Sequence, residues 1–209
     1  FMAVAKGKRN ISWRKDEPAT LYYVEALDGG DPEIEVPYRD AIFQWKAPFD
    51  APPQKLTQIK NRYAGVVWGN ASTAIIYDRW WKNRNSKTYV FDPSKNNSTA
   101  RILNDRNYQD RYSDPGDFVT KKGKLGETVL ALQGKKAFLL GEGFSEKGQF
   151  PFLDQIDLSS LQKNRIYESA YTDKYEQLYD YNPKTKSLRV RIESKSEYPN
   201  YFIRSLGKK

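Results

Sequence analysis

A short basic and aromatic segment contains the residue types in this sequence that could most directly bind a ligand. Its members are Arg79, Trp80, Trp81, Lys82 and Arg84. A guanidinium can hold a carboxylate through two parallel hydrogen bonds, and indole rings can wall a pocket. The segment therefore predicts a substrate-binding loop suited to acidic groups. Two other interpretations fit: a hairpin whose indoles cover a sheet edge while the cations stay in water, and a platform on which sugars or bases stack.

The absence of two residue types excludes many kinds of active site. The chain has no histidine and no cysteine. It cannot supply the imidazole of a Ser-His-Asp triad, a thiol nucleophile, a disulfide bond or a metal site built on Cys or His. It also lacks a Gly-x-Ser-x-Gly nucleophile elbow. We therefore predict that this chain is not an enzyme by itself and has no catalytic residue, no metal site and no cofactor.

The most acidic stretch of the chain offers two further chemistries. Asp28, Asp31 and Glu33 surround two glycines, and such oxygen ligands suit calcium, but their spacing differs from that of an EF-hand loop. A tight turn explains the glycines without a metal. Glu33 and Glu35 alternate as residues on one face of a strand would, whereas a glycosidase needs carboxylates on both sides of a cleft. We interpret the stretch as a turn and a solvated surface.

The net charge of +9, from 35 basic and 26 acidic residues, raises the question of a polyanionic partner. The excess is divided almost evenly, since residues 1–100 carry 15 basic and 11 acidic side chains and residues 101–209 carry 20 and 15. Such mixing is typical of a solvated surface, so we predict no nucleic-acid partner. No apolar run approaches the roughly 20 residues that span a bilayer, so we predict no membrane span.

Short apolar or alternating runs separated by turn residues predict an all-β chain. The series restarts along the sequence, because first strands centred near Trp13, Trp68, Val119 and Tyr179 lie 50 to 60 residues apart. The predicted strands cover residues 10–14, 20–26, 40–45, 54–59, 63–69, 73–78, 87–93, 99–103, 116–120, 129–132, 137–141, 151–158, 165–168, 177–180, 187–192 and 201–204.

Four strands per repeat of this length are typical of a β-propeller blade. We predict blades at about 8–60, 61–107 and 108–170 and a partial blade at 171–209. Closed propellers usually have four to eight blades, so about three to three and a half blades predict that residues 1–209 are one fragment of a propeller domain. A β-sandwich is the second interpretation.

Four stretches in this order resemble the N-terminal propeller of serine peptidases of the prolyl-oligopeptidase family, and most closely its glutamyl-endopeptidase-like branch. They are residues 12–22 (SWRKDEPATLY), 25–31 (EALDGGD), 110–116 (DRYSDPG) and 151–154 (PFLD). Residues 77–84 (YDRWWKNR) are similar to an aromatic and basic segment of that branch. The resemblance extends from about Lys8 to about Asp154 and is weaker beyond.

The resemblance implies a propeller that covers the mouth of an α/β-hydrolase domain, which carries a Ser-Asp-His triad and is absent from this chain. The chain would then gate and orient peptide substrates for that domain within a serine-type endo- or oligopeptidase, and Arg79 and Arg84 would recognise acidic side chains. The resemblance suggests a periplasmic or extracytoplasmic location for the whole protein. The alternative is a polyanion- or carbohydrate-binding β domain that uses Trp80, Trp81 and the positive charge.

Overall fold

The structure is a computed structural model that describes residues 1–207. Within these residues it contains 19 β-strands in antiparallel sheets and no α-helix, which confirms the predicted all-β class. No helix in the described part of the chain has the length and apolar character that crossing a membrane requires. Clustering of contacts divides the chain into two compact units.

The first unit comprises Phe1–Gln109 and Lys122–Val129. It holds two four-stranded sheets in which the strands follow one another in chain order. Sheet 1 consists of β1 (Arg9–Trp13), β2 (Thr20–Ala26), β3 (Asp40–Lys46) and β4 (Gln54–Ile59). Sheet 2 consists of β5 (Arg62–Asn70), β6 (Thr73–Trp80), β7 (Asn85–Phe91) and β8 (Arg101–Asn107).

Sheets 1 and 2 share one apolar core. Alternation along the strands directs β-branched and aromatic side chains from both sheets into it, and removal of each large side chain from water contributes about 1.5–3 kcal/mol. The largest of them, Trp68, is almost fully buried and meets Tyr22 edge-on, with 5.2 Å between ring centroids. The buried members of this core are Val24, Ile42, Leu56, Ile59, Trp68, Ala74, Ile76, Tyr89 and Phe91.

The second unit comprises Asp110–Lys121 and Leu130–Lys209. The remaining strands are β9 (Asp117–Phe118), β10 (Thr120–Lys122), β11 (Thr128–Leu130), β12 (Lys136–Gly141), β13 (Phe144–Ser145), β14 (Gly148–Gln149), β15 (Phe152–Asp157), β16 (Lys163–Glu168), β17 (Tyr175–Asn182), β18 (Ser187–Glu193) and β19 (Asn200–Ser205). Sheet 3 has the order β16-β15-β12-β9, and sheet 4 has the order β17-β18-β19. Strands β13 and β14 form a two-stranded sheet, and so do β10 and β11, whose residues 122–129 belong to the first unit.

A second apolar core lies in this unit. Phe138 is nearly fully buried, and its ring centroid lies 5.0 Å from that of Tyr181. Gly141 is required by the packing of Phe152, because a Cβ at this position would lie 2.1 Å from a carbon of that ring. The buried members of this core are Val119, Ala131, Phe138, Leu153, Tyr181, Leu188 and Val190.

The predicted strands all overlap observed ones. Residues 129–132 overlap β11, which pairs with β10 and lies outside the four-stranded sheets. Glu33 and Glu35 lie in the turn and loop between β2 and β3, as the turn interpretation of this stretch predicts. The last two residues of the predicted partial blade, 208 and 209, lie outside the described residues.

Candidate functional site

The predicted binding segment forms the hairpin between β6 and β7. Strand β6 continues to Trp80, and β7 begins at Asn85. The turn is closed by the backbone N–H of Arg84, which donates to the carbonyl of Trp81 at 3.3 Å. Arg84 has a φ of 57°, in the left-handed region that few non-glycine residues adopt. Its carbonyl accepts a hydrogen bond from the N–H of Tyr108 at 2.8 Å, which holds the turn against the residue that follows β8.

Strand alternation separates the first two residues of the segment. Arg79 and Trp80 are neighbours on β6, so their side chains lie on opposite faces of sheet 2. The exposed guanidinium of Arg79 lies over the ring of Tyr108, 5.4 Å from its centroid. The guanidinium of Arg39 lies over the indole of Trp80, 4.0 Å from its ring centroid. The five predicted residues therefore do not form one cluster.

The turn itself holds the most exposed aromatic contact of the segment. The guanidinium of Arg84 lies 3.9 Å from the ring centroid of Trp81, and its Nη1 donates to the Trp81 carbonyl at 2.9 Å. The ring of Phe1 stacks on the same indole, with centroids 4.4 Å apart and planes 8° from parallel. Trp81 is still 42% exposed, and Lys82 projects into solvent. The turn thus presents an indole with a fixed guanidinium beside it.

Arg39 belongs to this surface and was not predicted. Its Nη1 donates to Asp28 Oδ2 at 2.7 Å and to the Ile34 carbonyl at 3.2 Å, and these bonds place the guanidinium over Trp80. A sequence signal existed, because Arg39 is the single cation between Glu25 and Asp40. Its indole partner lies 41 positions later in the chain, so local sequence does not reveal the contact.

A buried ion-pair network lies below Arg39. Arg62, the first residue of β5, contacts both carboxylate oxygens of Asp28 at 2.8 Å, and its Nη1 lies 3.2 Å from Asp40 Oδ1. Arg9 forms a second ion pair with Asp40. Burial alone would raise the pKa of Asp28, but hydrogen bonds from Arg62 and Arg39 outweigh it and hold that pKa below its usual range. The network joins sheet 1 to sheet 2 beneath the candidate site.

The network also engages the main carboxylate of the acidic stretch. The Asp28 carboxylate is occupied by two guanidiniums and by the N–H of Gly30 at 3.0 Å, which leaves it no free position for a cation. Asp31 caps the turn, since its Oδ1 accepts a hydrogen bond from the backbone N–H of Glu33 at 2.9 Å. Within residues 1–207, no group of three or more Asp and Glu side chains is arranged to hold a metal ion. The turn interpretation thus accounts for the contacts of the Asp28 carboxylate and of the Glu33 N–H.

The chemistry available at this surface is binding. A guanidinium stacked on an aromatic face keeps its N–H edge directed outward, where it can hold a carboxylate. Arg39–Trp80 and Arg84–Trp81 both place a guanidinium over an indole, with ring distances near 4 Å. The Arg39 side chain is only 14% exposed, and its Nη1 is already bonded to Asp28. Because the chain has no histidine or cysteine, this surface holds no imidazole and no thiol.

Two curated plant proteins are similar to this chain. A protein of Oryza sativa subsp. japonica named "Probable glutamyl endopeptidase, chloroplastic" is 36% identical over 217 aligned residues, covering 96% of this chain and 23% of its own length. A protein of the same name from Arabidopsis thaliana is 38% identical over 175 aligned residues, covering 80% of this chain and 18% of its own length. The chain thus spans about a fifth of the length of these relatives.

Two other comparisons, one with protein-family models and one with solved structures, are less informative about function. No protein-family model matches the chain. The chain is also similar in structure to an oligogalacturonate lyase solved in complex with manganese, with a TM-score of 0.44 and 12% identity over 92% of this chain and 46% of the lyase chain. The sequence relatives alone are informative: over most of its length the chain is similar to a part of the glutamyl endopeptidases, which confirms the resemblance predicted from its motifs.

Proposed function

We propose that this chain is the noncatalytic, substrate-selecting part of a serine peptidase and that it presents acidic peptides to a hydrolase domain elsewhere in the whole protein. The observation that carries the proposal is the 36–38% identity to proteins named as glutamyl endopeptidases, of which the chain spans only a fifth. The absence of histidine from the chain supports a division of labour in which other residues perform the hydrolysis.

We further propose that the sheets are blades of a β-propeller of the prolyl-oligopeptidase type. Sheets 1, 2 and 3 each have four antiparallel strands, and sheet 4 has three. Each of the residue ranges 8–60, 61–107, 108–170 and 171–209 contains one of these four sheets, which supports the proposal. A propeller narrows the path to a catalytic domain, so that short or unfolded peptides pass and folded proteins do not.

The acidic preference of such an enzyme would be set at the β6–β7 hairpin. Arg84 is fixed by its bond to the Trp81 carbonyl and by the indole beneath it, so a peptide carboxylate would meet a guanidinium that is already ordered. Preordering lowers the entropy lost on binding. A hydrogen bond to a charged group is worth about 1.5–3 kcal/mol, which corresponds to roughly 10- to 150-fold in selectivity.

The test is steady-state kinetics of the whole protein with two peptides that differ only in Glu against Gln. Arg84→Met should lower the ratio of kcat/KM for the Glu peptide to that for the Gln peptide at least about tenfold. The matched control is Arg189→Met, which removes an exposed arginine from β18 of the second unit. An unchanged ratio in Arg84→Met, or an equal fall in Arg189→Met, overturns the assignment of the hairpin.

A further inference from the structure

A polar cavity of about 360 Å³ lies in the first unit, and none of its lining residues belongs to the β6–β7 turn. Its lining includes Lys55 and Lys60 and contains no Asp or Glu. The polar lining residues with side chains that can donate a hydrogen bond include Tyr38, Gln58 and Asn97. A concave site with two cations, several neutral donors and no carboxylate is suited to a small anion.

The two walls of this cavity are joined by backbone hydrogen bonds. One wall is β4, and the other begins at residues 97 and 98, before β8. The N–H of Asn97 donates to the carbonyl of Lys55 at 2.9 Å, and the N–H of Ser98 donates to that of Leu56 at 2.7 Å. Thr57 Oγ1 donates to the Ser98 carbonyl at 2.7 Å. The walls are therefore held at a fixed separation without a ligand.

Local backbone features turn the polar side chains toward this space. The ladder between β3 and β4 shifts register between Ile42 and Phe43, which places Leu56 of β4 as the extra residue of a bulge. Leu56 enters the apolar core while Lys55 and Thr57 remain at the cavity. On the opposite wall, Asn97 has a φ of 51°, a left-handed conformation that asparagine tolerates better than most residues.

The two lysines differ in burial and in the hydrogen bonds that their ammonium groups already make. Lys55 is half-buried, and its Nζ donates to Gln58 Oε1 at 2.6 Å, which fixes the ammonium with two further donor positions to offer. Lys60 is exposed at the rim. Its charge makes a minor contribution at Asp105, whose pKa is lowered mainly by the hydrogen bond from Lys87. The Asp105 carboxylate is thus paired with another lysine, and the Lys60 ammonium can turn to a ligand.

We propose that this cavity binds a phosphate group, either as free phosphate or as part of a small phosphorylated metabolite. Phosphate offers acceptor oxygens in several directions, which matches donors on both walls, and lysine binds it as a point charge. A cavity of this size falls within the range of small-ligand sites. The proposal does not depend on the peptidase assignment, since it rests on residues outside the β6–β7 hairpin.

Isothermal titration calorimetry of this chain with inorganic phosphate tests the site, with sodium chloride adjusted to hold ionic strength constant. We expect one saturable site, weakened at least tenfold in the Lys55→Met/Lys60→Met double variant. The matched control, Lys15→Met/Lys147→Met, removes two exposed lysines and should leave binding unchanged. A second titration with glycerol phosphate distinguishes the sources, because tighter binding than phosphate indicates a phosphorylated metabolite and weaker binding indicates the free ion.

A single variant provides a second test in case the double variant does not fold. Lys60→Met changes an exposed side chain and should preserve the thermal unfolding midpoint while it weakens phosphate several-fold. Absence of saturable binding to the unmodified chain overturns the proposal. An equal loss in the Lys15→Met/Lys147→Met control also overturns it, since binding would then follow net charge and not the cavity.

Discussion

Replacement of Arg62 by methionine should be among the most damaging single changes in the first unit. Arg62 is 3% exposed and contacts the carboxylates of Asp28 and Asp40, and its Nε donates to the Met2 carbonyl at 2.9 Å. Methionine preserves most of the apolar stem but removes the charge. The two carboxylates would then remain buried with one cation fewer.

The structure sets the size of the expected loss. Removing one partner of a buried ion pair costs about 3–5 kcal/mol when the other charge is left uncompensated. Here Asp28 would keep Arg39 and the N–H of Gly30. Asp40 would keep Arg9 and the N–H of Tyr63 at 2.6 Å. We therefore expect a loss at the lower end, about 3 kcal/mol in the free energy of unfolding.

Urea unfolding followed by tryptophan fluorescence measures this loss, because Trp68 is buried in the core that sheets 1 and 2 share. Arg62→Lys should retain part of the stability, since an ammonium restores the charge but not the two-point contact. Lys15→Met is the control, because it removes an exposed cation of the same unit. A loss below about 1 kcal/mol for Arg62→Met, within the range of an exposed ion pair, would refute this account of the network.

Three further predictions concern single residues. Tyr89→Phe should lower the free energy of unfolding by about 1.5–3 kcal/mol, because it removes a 2.7 Å hydrogen bond to the carboxylate of Asp78. That carboxylate is buried, and burial raises its pKa. Urea unfolding at pH 7 tests this prediction, and an unchanged midpoint contradicts it. Asp28→Asn should be most destabilising above about pH 4, because the lowered pKa of Asp28 in the folded state contributes stability that is lost as pH falls through that pKa. In unfolding experiments at several pH values, the difference in free energy of unfolding between the variant and the unmodified chain should become smaller in acid. A difference that does not depend on pH would argue against this prediction. Phe138→Ala should cost about 3–5 kcal/mol, since it empties the centre of the second core; a loss below 1 kcal/mol would mean that the cavity closes or that this core is absent.

The strands of this chain could be predicted because alternation and turn residues are local signals. Successive side chains of the segment 73–78 point to opposite faces of the sheet and are buried on both, and the segment lies within β6. The apolar run 129–132 was identified as a strand for the same reason, but its partner is fixed by packing, and β11 pairs outside the four-stranded sheets. Local pattern indicates that a strand forms and does not indicate which strand lies beside it.

The candidate site was predicted in part. The sequence ended the strand at residue 78, which placed Arg79 and Trp80 together in a loop, and the binding role of this segment stays a prediction. Because β6 continues to Trp80, alternation puts them on opposite faces. Arg39 and Tyr108 complete the two faces through contacts with residues far away in sequence, and such contacts follow from tertiary packing only.

We propose that this chain selects acidic peptides and does not cleave them. The most direct measurement incubates the purified chain with a fluorescent peptide containing Glu and with its Gln counterpart, and follows anisotropy and cleavage in the same samples. The account predicts saturable binding of the Glu peptide, weakened at least about tenfold by Arg84→Met, and no cleavage of either peptide. Equal binding of both peptides, or cleavage that persists in the purified chain, would contradict it.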